Sequence, residues 1–449
     1  MFIKIVYYIA LSIIFIGCGS DSLTSSDDTS SLDENDIFST YIYSDGDKKS
    51  SSITQSDCSQ KEQNRILYST MKNNYLWYEY VPDVDYSEYN STESLLEDLK
   101  YREYDRWSYI TTTTKYNDYY ERGIYGGFGF SFEQYDDRLF VKFVYRNSPA
   151  YRVGFRRGTE ILEINKKTIS EIESENLLSN GGVGTTGVFK IVNSGVEKVV
   201  TIEKEIIKTY SIFGDKIIDI DGKRVGYFVL NRFIEPTRSE LKIVFEKFKK
   251  DGIDELIIDM RYNGGGRISV ANYLASLIGE DRDESLFERL EFNDKYTKLN
   301  STINFTKEKN RLNLDRVFII STDKTCSASE MIINGLRPYM DVHLIGSTTC
   351  GKPIGMRGKD FCGKHLSPIE FKLLNADGYG DYFDGITPTC SVSDDIFHSF
   401  GDRDESMLKE TLFFIENSIC SSVNKRYKMQ KKSTKDSFFN GFWREIDAI

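Results

Sequence analysis

From Val225 onward the chain alternates short unbroken apolar runs with amphipathic stretches, and this alternation limits its fold more than any other feature. VGYFVLNRFI, ELIIDM, RVFIIS and VHLIGS are separated by ELKIVFEKFKK, ISVANYLASLI and SASEMIINGL. Unbroken apolar runs such as Leu256 to Ile258 and Val317 to Ile320 read as strands covered on both faces, and the intervening spacing of three and four reads as helices. The expectation is an α/β domain. Around Tyr125 the pattern is different: YGGFGFSFEQYDDRLFVKFVYRNSPAYRVGFRRGTEILEIN reads as short strands and turns, with a helix start at Ser148-Pro149-Ala150. Residues 60 to 115 carry helical spacing in NRILYSTMKNNYLWYEYV and TESLLEDLKYREYDRWSYI, and Thr92 with Glu93 in the first turn predicts a helix cap. Tyr75, Trp77, Tyr78 and Trp107 are most simply a small helical core, with a glycan platform as the competing use.

The 449 residues leave room for about three domains. With 58 basic against 69 acidic side chains the formal charge is -11, which argues against nucleic acid as a partner. Three histidines, His343, His365 and His398, form no HExxH or paired spacing, so the residues suggest no metal site and no cofactor.

The amino terminus reads as an address. Lys4 precedes an apolar run from Ile5 to Ile16, and Phe15-Ile16-Gly17-Cys18 resembles a bacterial lipobox, with Phe where Leu is usual. Residues 1–18 are then a lipoprotein signal peptide and Cys18 the lipidated residue. The alternative, an uncleaved spanning helix, needs about 20 apolar residues, more than this run offers. A Ser- and Asp-rich tether over residues 19–58 follows. The expected location is the cell envelope, with a lipid anchor in a membrane, periplasmic or surface-facing on the outer membrane. Cys58, Cys326, Cys350, Cys362, Cys390 and Cys420 are then in a compartment where disulfides persist, but spacing does not rank their 15 pairings. A thiol nucleophile at Cys326 or Cys350 lacks a nearby histidine in sequence.

Three segments of the α/β region point to acyl transfer. Asp259-Met260-Arg261-Tyr262-Asn263-Gly264-Gly265-Gly266 ends a strand in glycines, whose exposed amides suit a developing oxyanion; the run lacks the phosphate-loop forms. Thr325-Cys326-Ser327-Ala328-Ser329-Glu330 places a serine at a helix start. There a capping box with Glu330 is the ordinary role, and stabilisation of an acyl adduct by the helix amino terminus is the chemical one. Cys350-Gly351-Lys352-Pro353 sets a lysine 25 residues after Ser327.

Together DMRYNGGG, TCSASE and GKP resemble the tail-specific, or C-terminal processing, serine peptidases of family S41. DYFDGITPTC, with Gly385 and Pro388, looks like the family's closing segment. The resemblance implies Ser327 as nucleophile, Lys352 as its base, and an oxyanion hole from the Ala328 amide with Gly265 or Gly266. Met356 stands where many members have a glutamine that orients the lysine. A lysine is a cation at neutral pH and must be held neutral to take the serine proton, a task for burial in an apolar pocket. Gly127-Phe128-Gly129-Phe130 resembles the carboxylate-binding loop of PDZ domains, followed in family order by Gly158 and the strand Ile161 to Asn165, with Thr159 where Asp is usual. The implied plan is a helical region at 59–116, a PDZ-like domain at 117–206, a crotonase-like catalytic domain at 207–424 and a basic tail at 425–449. The implied activity is endopeptidase cleavage of unstructured or C-terminal segments of polypeptides. A catalytically silent peptide-binding lipoprotein and a glycan-capturing surface protein are the alternatives.

Overall fold

The computed structural model describes residues 58–174, 178, 181–279 and 282–421. The expected signal peptide with Cys18, nearly all of the tether and the basic tail lie outside them.

Two helices come first, α1 (Gln60–Asn73) and α2 (Thr92–Leu99). The cap of α2 is Ser91, whose Oγ accepts the Ser94 N–H at 3.1 Å. This corrects the assignment to Thr92, which is the first helical residue and fully buried. Then follow β1 (Tyr109–Thr112), α3 (Thr113–Tyr120), β2 (Ile124–Gly127), β3 (Phe130–Tyr135), β4 (Arg138–Val144), the short α4 (Pro149–Arg152), β5 (Glu160–Ile164), α5 (Ile169–Ser174), β6 (Thr186–Asn193), β7 (Val196–Glu203) and β8 (Glu205–Lys208). β3 to β7 form an antiparallel five-stranded sheet in chain order, and β8 returns to pair with β2. Strand alternation sends Phe130, Phe132, Leu139, Val141, Ile161, Phe189 and Ile191 into one core.

The α/β part comprises β9 (Ile212–Ile220), β10 (Lys223–Leu230), α6 (Thr237–Asp251), β11 (Glu255–Asp259), α7 (Ile268–Ile278), β12 (Leu286–Phe292), β13 (Ser301–Asn304), β14 (Arg316–Ser321), α8 (Ala328–Leu336), β15 (Asp341–Gly346), β16 (Ile354–Met356), β17 (Lys359–Phe361), β18 (Lys364–Ser367), β19 (Ile369–Leu374), β20 (Cys390–Ser391) and α9 (Ser406–Asn417). Its main sheet has the order β20-β15-β14-β11-β10-β9, parallel except for β9. Both faces are covered, as the unbroken apolar strands require. Leu256, Ile258, Val317 and Ile319 pack with Phe245, Leu274, Met331 and Leu336 of α6, α7 and α8. Ile257, Phe318 and Ile320 pack with Leu408, Leu412 and Ile415 of α9.

Two smaller sheets flank it, β13-β12-β19-β16 and β1-β18-β17. Through strands of both, the amino-terminal helices share a core with the α/β part: Leu67, Met71, Leu95 and Leu99 pack with Ile354, Phe361, Leu366 and Ile369. The expectation of a small core confined to residues 60–115 is thereby corrected. Two helices of 14 and 8 residues cannot enclose an interior, so they close over strands of the α/β part.

Disulfides join Cys58 to Cys362, Cys326 to Cys350 and Cys390 to Cys420. β11, β14 and β15 are parallel neighbours, so the loops carrying the glycine, serine and lysine segments leave the same end of the sheet.

Candidate active site

Backbone hydrogen bonds interlock these three loops. Asn263 O accepts the Cys326 N–H at 2.9 Å and the Ser329 hydroxyl at 3.0 Å, joining the glycine and serine segments. Thr325 O accepts the Cys350 N–H at 3.0 Å, joining the serine and lysine segments.

Ser327 immediately precedes α8 and is half-buried, with φ 56° and ψ -115°. A non-glycine residue at positive φ is costly by about 1–3 kcal/mol and persists where its surroundings fix it. Gly265 is one of those surroundings: a Cβ there would lie 2.8 Å from Cys326 O and Ser327 Cβ, and 2.9 Å from Ala328 N. Only glycine, here with φ 102°, lets the two loops touch at this point. The Gly265 N–H donates to Asn263 Oδ1 at 2.9 Å, so of the two glycines named from the sequence Gly265 already has its amide engaged.

Glu330, fully buried on α8, holds the serine and lysine segments together. Its Oε2 accepts the N–H groups of Ser327 at 2.9 Å and Lys352 at 2.8 Å. Its Oε1 accepts the Gly351 N–H at 2.8 Å and the Thr349 hydroxyl at 2.5 Å. Burial pushes this carboxyl above its ordinary range, opposed by the same hydrogen bonds. The sequence marked Glu330 as a capping residue, and the Ser327 bond is the backbone arm of that cap. Its reach to residues 349–352, carried by main-chain groups and a threonine 19 to 22 positions away, leaves no local signal.

Lys352 is 2% exposed. Its Nζ lies 5.7 Å from the centre of the Trp107 ring, and neighbouring Arg106 donates to Cys350 O at 2.6 Å. The amino-terminal region therefore walls the lysine, a role for Trp107 that sequence reasoning missed. Met356 ends β16 and is partly buried against two adjoining apolar cores.

All six cysteines named from the sequence are in disulfides, which removes the thiol-nucleophile reading. The Cys/Glu groupings among the described residues, Cys326-Glu330-Cys350 and Cys390-Glu410-Cys420, use these same sulfurs and offer no thiolate to a metal. The histidines have other partners. His365 Nδ1 is 2.6 Å from Asp360, His398 Nδ1 is 2.7 Å from Asp395, and His343 stacks on Phe318.

Behind the glycine segment lies a buried charge network. Arg261 pairs with Asp259 at 2.9 Å, Glu405 at 2.8 Å and Asp394 at 2.9 Å. Arg157, from the loop before β5, donates to Asp394 at 2.8 Å and to the Tyr262 hydroxyl at 3.0 Å. Lys142 of β4 lies 5.1 Å from the Tyr262 ring. The five-stranded sheet is thereby packed on the segment that carries the glycines. Burial opposes the charge of Asp394, but Arg157 and Arg261 override it and hold the carboxyl well below the usual carboxylate range.

Gly127-Phe128-Gly129-Phe130 joins β2 to β3, the edge strand of the five-stranded sheet. Phe128 and Phe130 are buried against Phe189. Gly129 has φ 90°, and a Cβ there would fall 2.1 Å from Ser148 Cβ, so the helix start presses directly on the loop. Thr159 is fully buried and its Oγ1 accepts the Arg156 N–H at 3.0 Å.

The profile of the peptidase S41 N-terminal domain matches residues 62–109, and that of peptidase family S41 matches residues 224–392. A "Probable CtpA-like serine protease" of Staphylococcus haemolyticus strain JCSC1435 is 23% identical over 356 residues, 78% of this chain and 68% of that protein. Its namesake in Staphylococcus aureus strain COL is 25% identical over 350 residues, covering 77% and 67%. A crystal structure ascribed to an S41 protease of Bacteroides fragilis NCTC 9343 shares 26% identity at a TM-score of 0.63, covering 78% of this chain and 97% of that one. The photosystem II D1 C-terminal processing protease shares the fold, at 16% identity and a TM-score of 0.50 over 75% of this chain and 94% of its own. The larger profile spans the glycine, serine and lysine segments that the structure brings together, and the two profiles, the relatives and the Bacteroides structure together support peptidase family S41, a family of serine-type peptidases, as the family of this chain.

Proposed function

We propose that the protein is a serine endopeptidase working through a Ser327/Lys352 dyad. The observation that carries this reading is the shared Glu330 oxygen, which ties the backbones of both residues to one atom while Lys352 is withdrawn from water. Ser327 Oγ attacks the scissile carbonyl and Lys352 Nζ takes its proton. The tetrahedral oxyanion forms against the amides of Ala328 and Gly266, since the Gly265 amide is engaged by Asn263. Lys352 returns the proton to the leaving amine, and the acyl-enzyme is cleared by a water that Lys352 activates.

The substrate on this reading is an unstructured or carboxy-terminal polypeptide segment. The catalytic part is crotonase-like. The five-stranded sheet acts as a PDZ-like domain, with Gly127, Phe128, Gly129 and Phe130 receiving a terminal carboxylate while edge strand β3 pairs with the peptide. Lipidation at Cys18 anchors the protein in the cell envelope.

Cleavage of casein and of a peptide with a free carboxy terminus by the purified protein tests the proposal. Loss of turnover in both Ser327→Ala and Lys352→Ala, without rescue by Lys352→Arg, is expected. Wild-type protein that binds the peptide without cleaving it would overturn the enzymatic reading in favour of a peptide-binding lipoprotein.

A further inference from the structure

We propose that the Cys326–Cys350 disulfide is a positioning element for the Ser327/Lys352 pair, and that its reduction by a dithiol lowers turnover while the rest of the fold stays in place. The inference rests on the dyad reading and deepens it.

The bond lies one residue before Ser327 and two before Lys352, with the cysteine Cα atoms 5.2 Å apart. Without it, the loop after β15 is held to the serine segment by the hydrogen bonds Cys350 N–H to Thr325 O and three to Glu330, while Arg106 of the amino-terminal region donates to Cys350 O from the other side. Such bonds open individually, whereas the covalent link does not. It also closes a ring through α8 and β15, with a sequence separation of 24, so the nucleophile's helix and the base's strand belong to one cross-linked unit. A dyad tolerates little misplacement: about 1 Å costs on the order of a hundredfold in rate. The other two disulfides have a different reach. Cys58–Cys362 fastens the start of the described chain to the β17–β18 turn, and Cys390–Cys420 fastens β20 to the segment after α9.

Cys350 is half-buried and so within reach of a small thiolate, while Cys326 is 9% exposed. One thiolate of the dithiol attacks Cys350 Sγ, the S–S bond breaks, and Cys326 leaves as a thiolate. The second thiol of the reagent then displaces Cys350 from the mixed disulfide. The reagent ends as a cyclic disulfide, and its two protons end on Cys326 and Cys350.

The test uses the full chain in three forms: wild type, Cys326→Ser/Cys350→Ser, and Cys390→Ser/Cys420→Ser as the control for general loosening. In peptide cleavage, the first variant is expected to lose about tenfold or more in kcat with KM within about twofold, while the control keeps its kcat. Dithiothreitol is expected to lower wild-type kcat and to leave the Cys326→Ser/Cys350→Ser protein unchanged. Equal losses in both variants, or an unchanged kcat in the first, overturn the proposal. Amide hydrogen exchange at Gly351 and Lys352 decides it independently of activity. Faster exchange in reduced wild-type protein supports it, and unchanged protection overturns it. Failure of the dyad reading shows separately, as a wild-type protein that neither cleaves peptide nor takes a fluorophosphonate on Ser327.

Discussion

The main-chain N–H groups of Ser327 and Lys352 end on the same atom, Glu330 Oε2, at 2.9 and 2.8 Å. Glu330→Ala strands these two donors together with the Gly351 amide and the Thr349 hydroxyl in a buried site. Leaving buried groups unpaired costs about 1–3 kcal/mol each. The expected outcome is a loss of several kcal/mol in denaturant unfolding and a fall in kcat that exceeds the change in KM. Glu330→Gln, which keeps one acceptor oxygen, is expected to lie between the wild type and Glu330→Ala in both measurements.

Gly265→Ala places a methyl 2.8 Å from Cys326 O and Ser327 Cβ, at a backbone conformation that L residues rarely adopt. The strain falls on the serine loop, so a stability loss of about 1–3 kcal/mol is expected together with a drop in kcat of about a hundredfold. Thermal melts and steady-state kinetics check this. An alanine variant with wild-type kcat would mean that the contact is irrelevant to catalysis.

Asp394 is held below the usual carboxylate range against its own burial, chiefly by Arg157 and Arg261. A depressed folded-state value means that its contribution is fully present above the unfolded aspartate value of about 3.9 and is lost as pH falls through the folded one. Asp394→Asn is therefore expected to destabilise by about 3 kcal/mol at pH 7, as breaking a buried pair does. The gap between variant and wild type should narrow progressively below about pH 4. Paired denaturation curves from pH 3 to pH 7 measure it; a gap that widens toward acid would contradict the sign.

The collision of a Cβ at position 129 with Ser148 gives a separate handle on peptide capture. Gly129→Val is expected to raise KM for a peptide with a free carboxy terminus by about tenfold or more, with kcat little changed. Amidation of the peptide terminus should reproduce that rise in the wild type and add nothing in the variant. Equal KM for free and amidated peptides in the wild type would remove the carboxylate role of the Gly127 to Phe130 loop.

The elements that carry the site, β10, α6, β11, α7, β14, α8 and β15, are legible in the sequence because each is locally periodic. ISVANYLASLI spans α7 from end to end, and RVFIIS is β14 itself. The strands β12, β13 and β16 to β19 are not legible, since each is very short or mixes charged with apolar residues, and they draw their order from distant partners, as Arg289 does opposite Leu374. The same holds within the site. Ser327, Lys352 and the glycines stand in short contiguous segments that the resemblance to the S41 peptidases picks out, while Trp107 beside Lys352 and Arg157 beside Tyr262 and Asp394 depend on contacts between remote parts of the chain. The choice between Gly265 and Gly266 turns on one side-chain amide, Asn263, whose direction only the folded loop fixes.

Cys58 is bonded to Cys362 two residues ahead of α1. Tension arriving from upstream therefore passes through sulfur into the β17–β18 hairpin and bypasses the helix, whose hydrogen bonds would otherwise be first in series. The peptidase body can be tugged by its leading end without unzipping there.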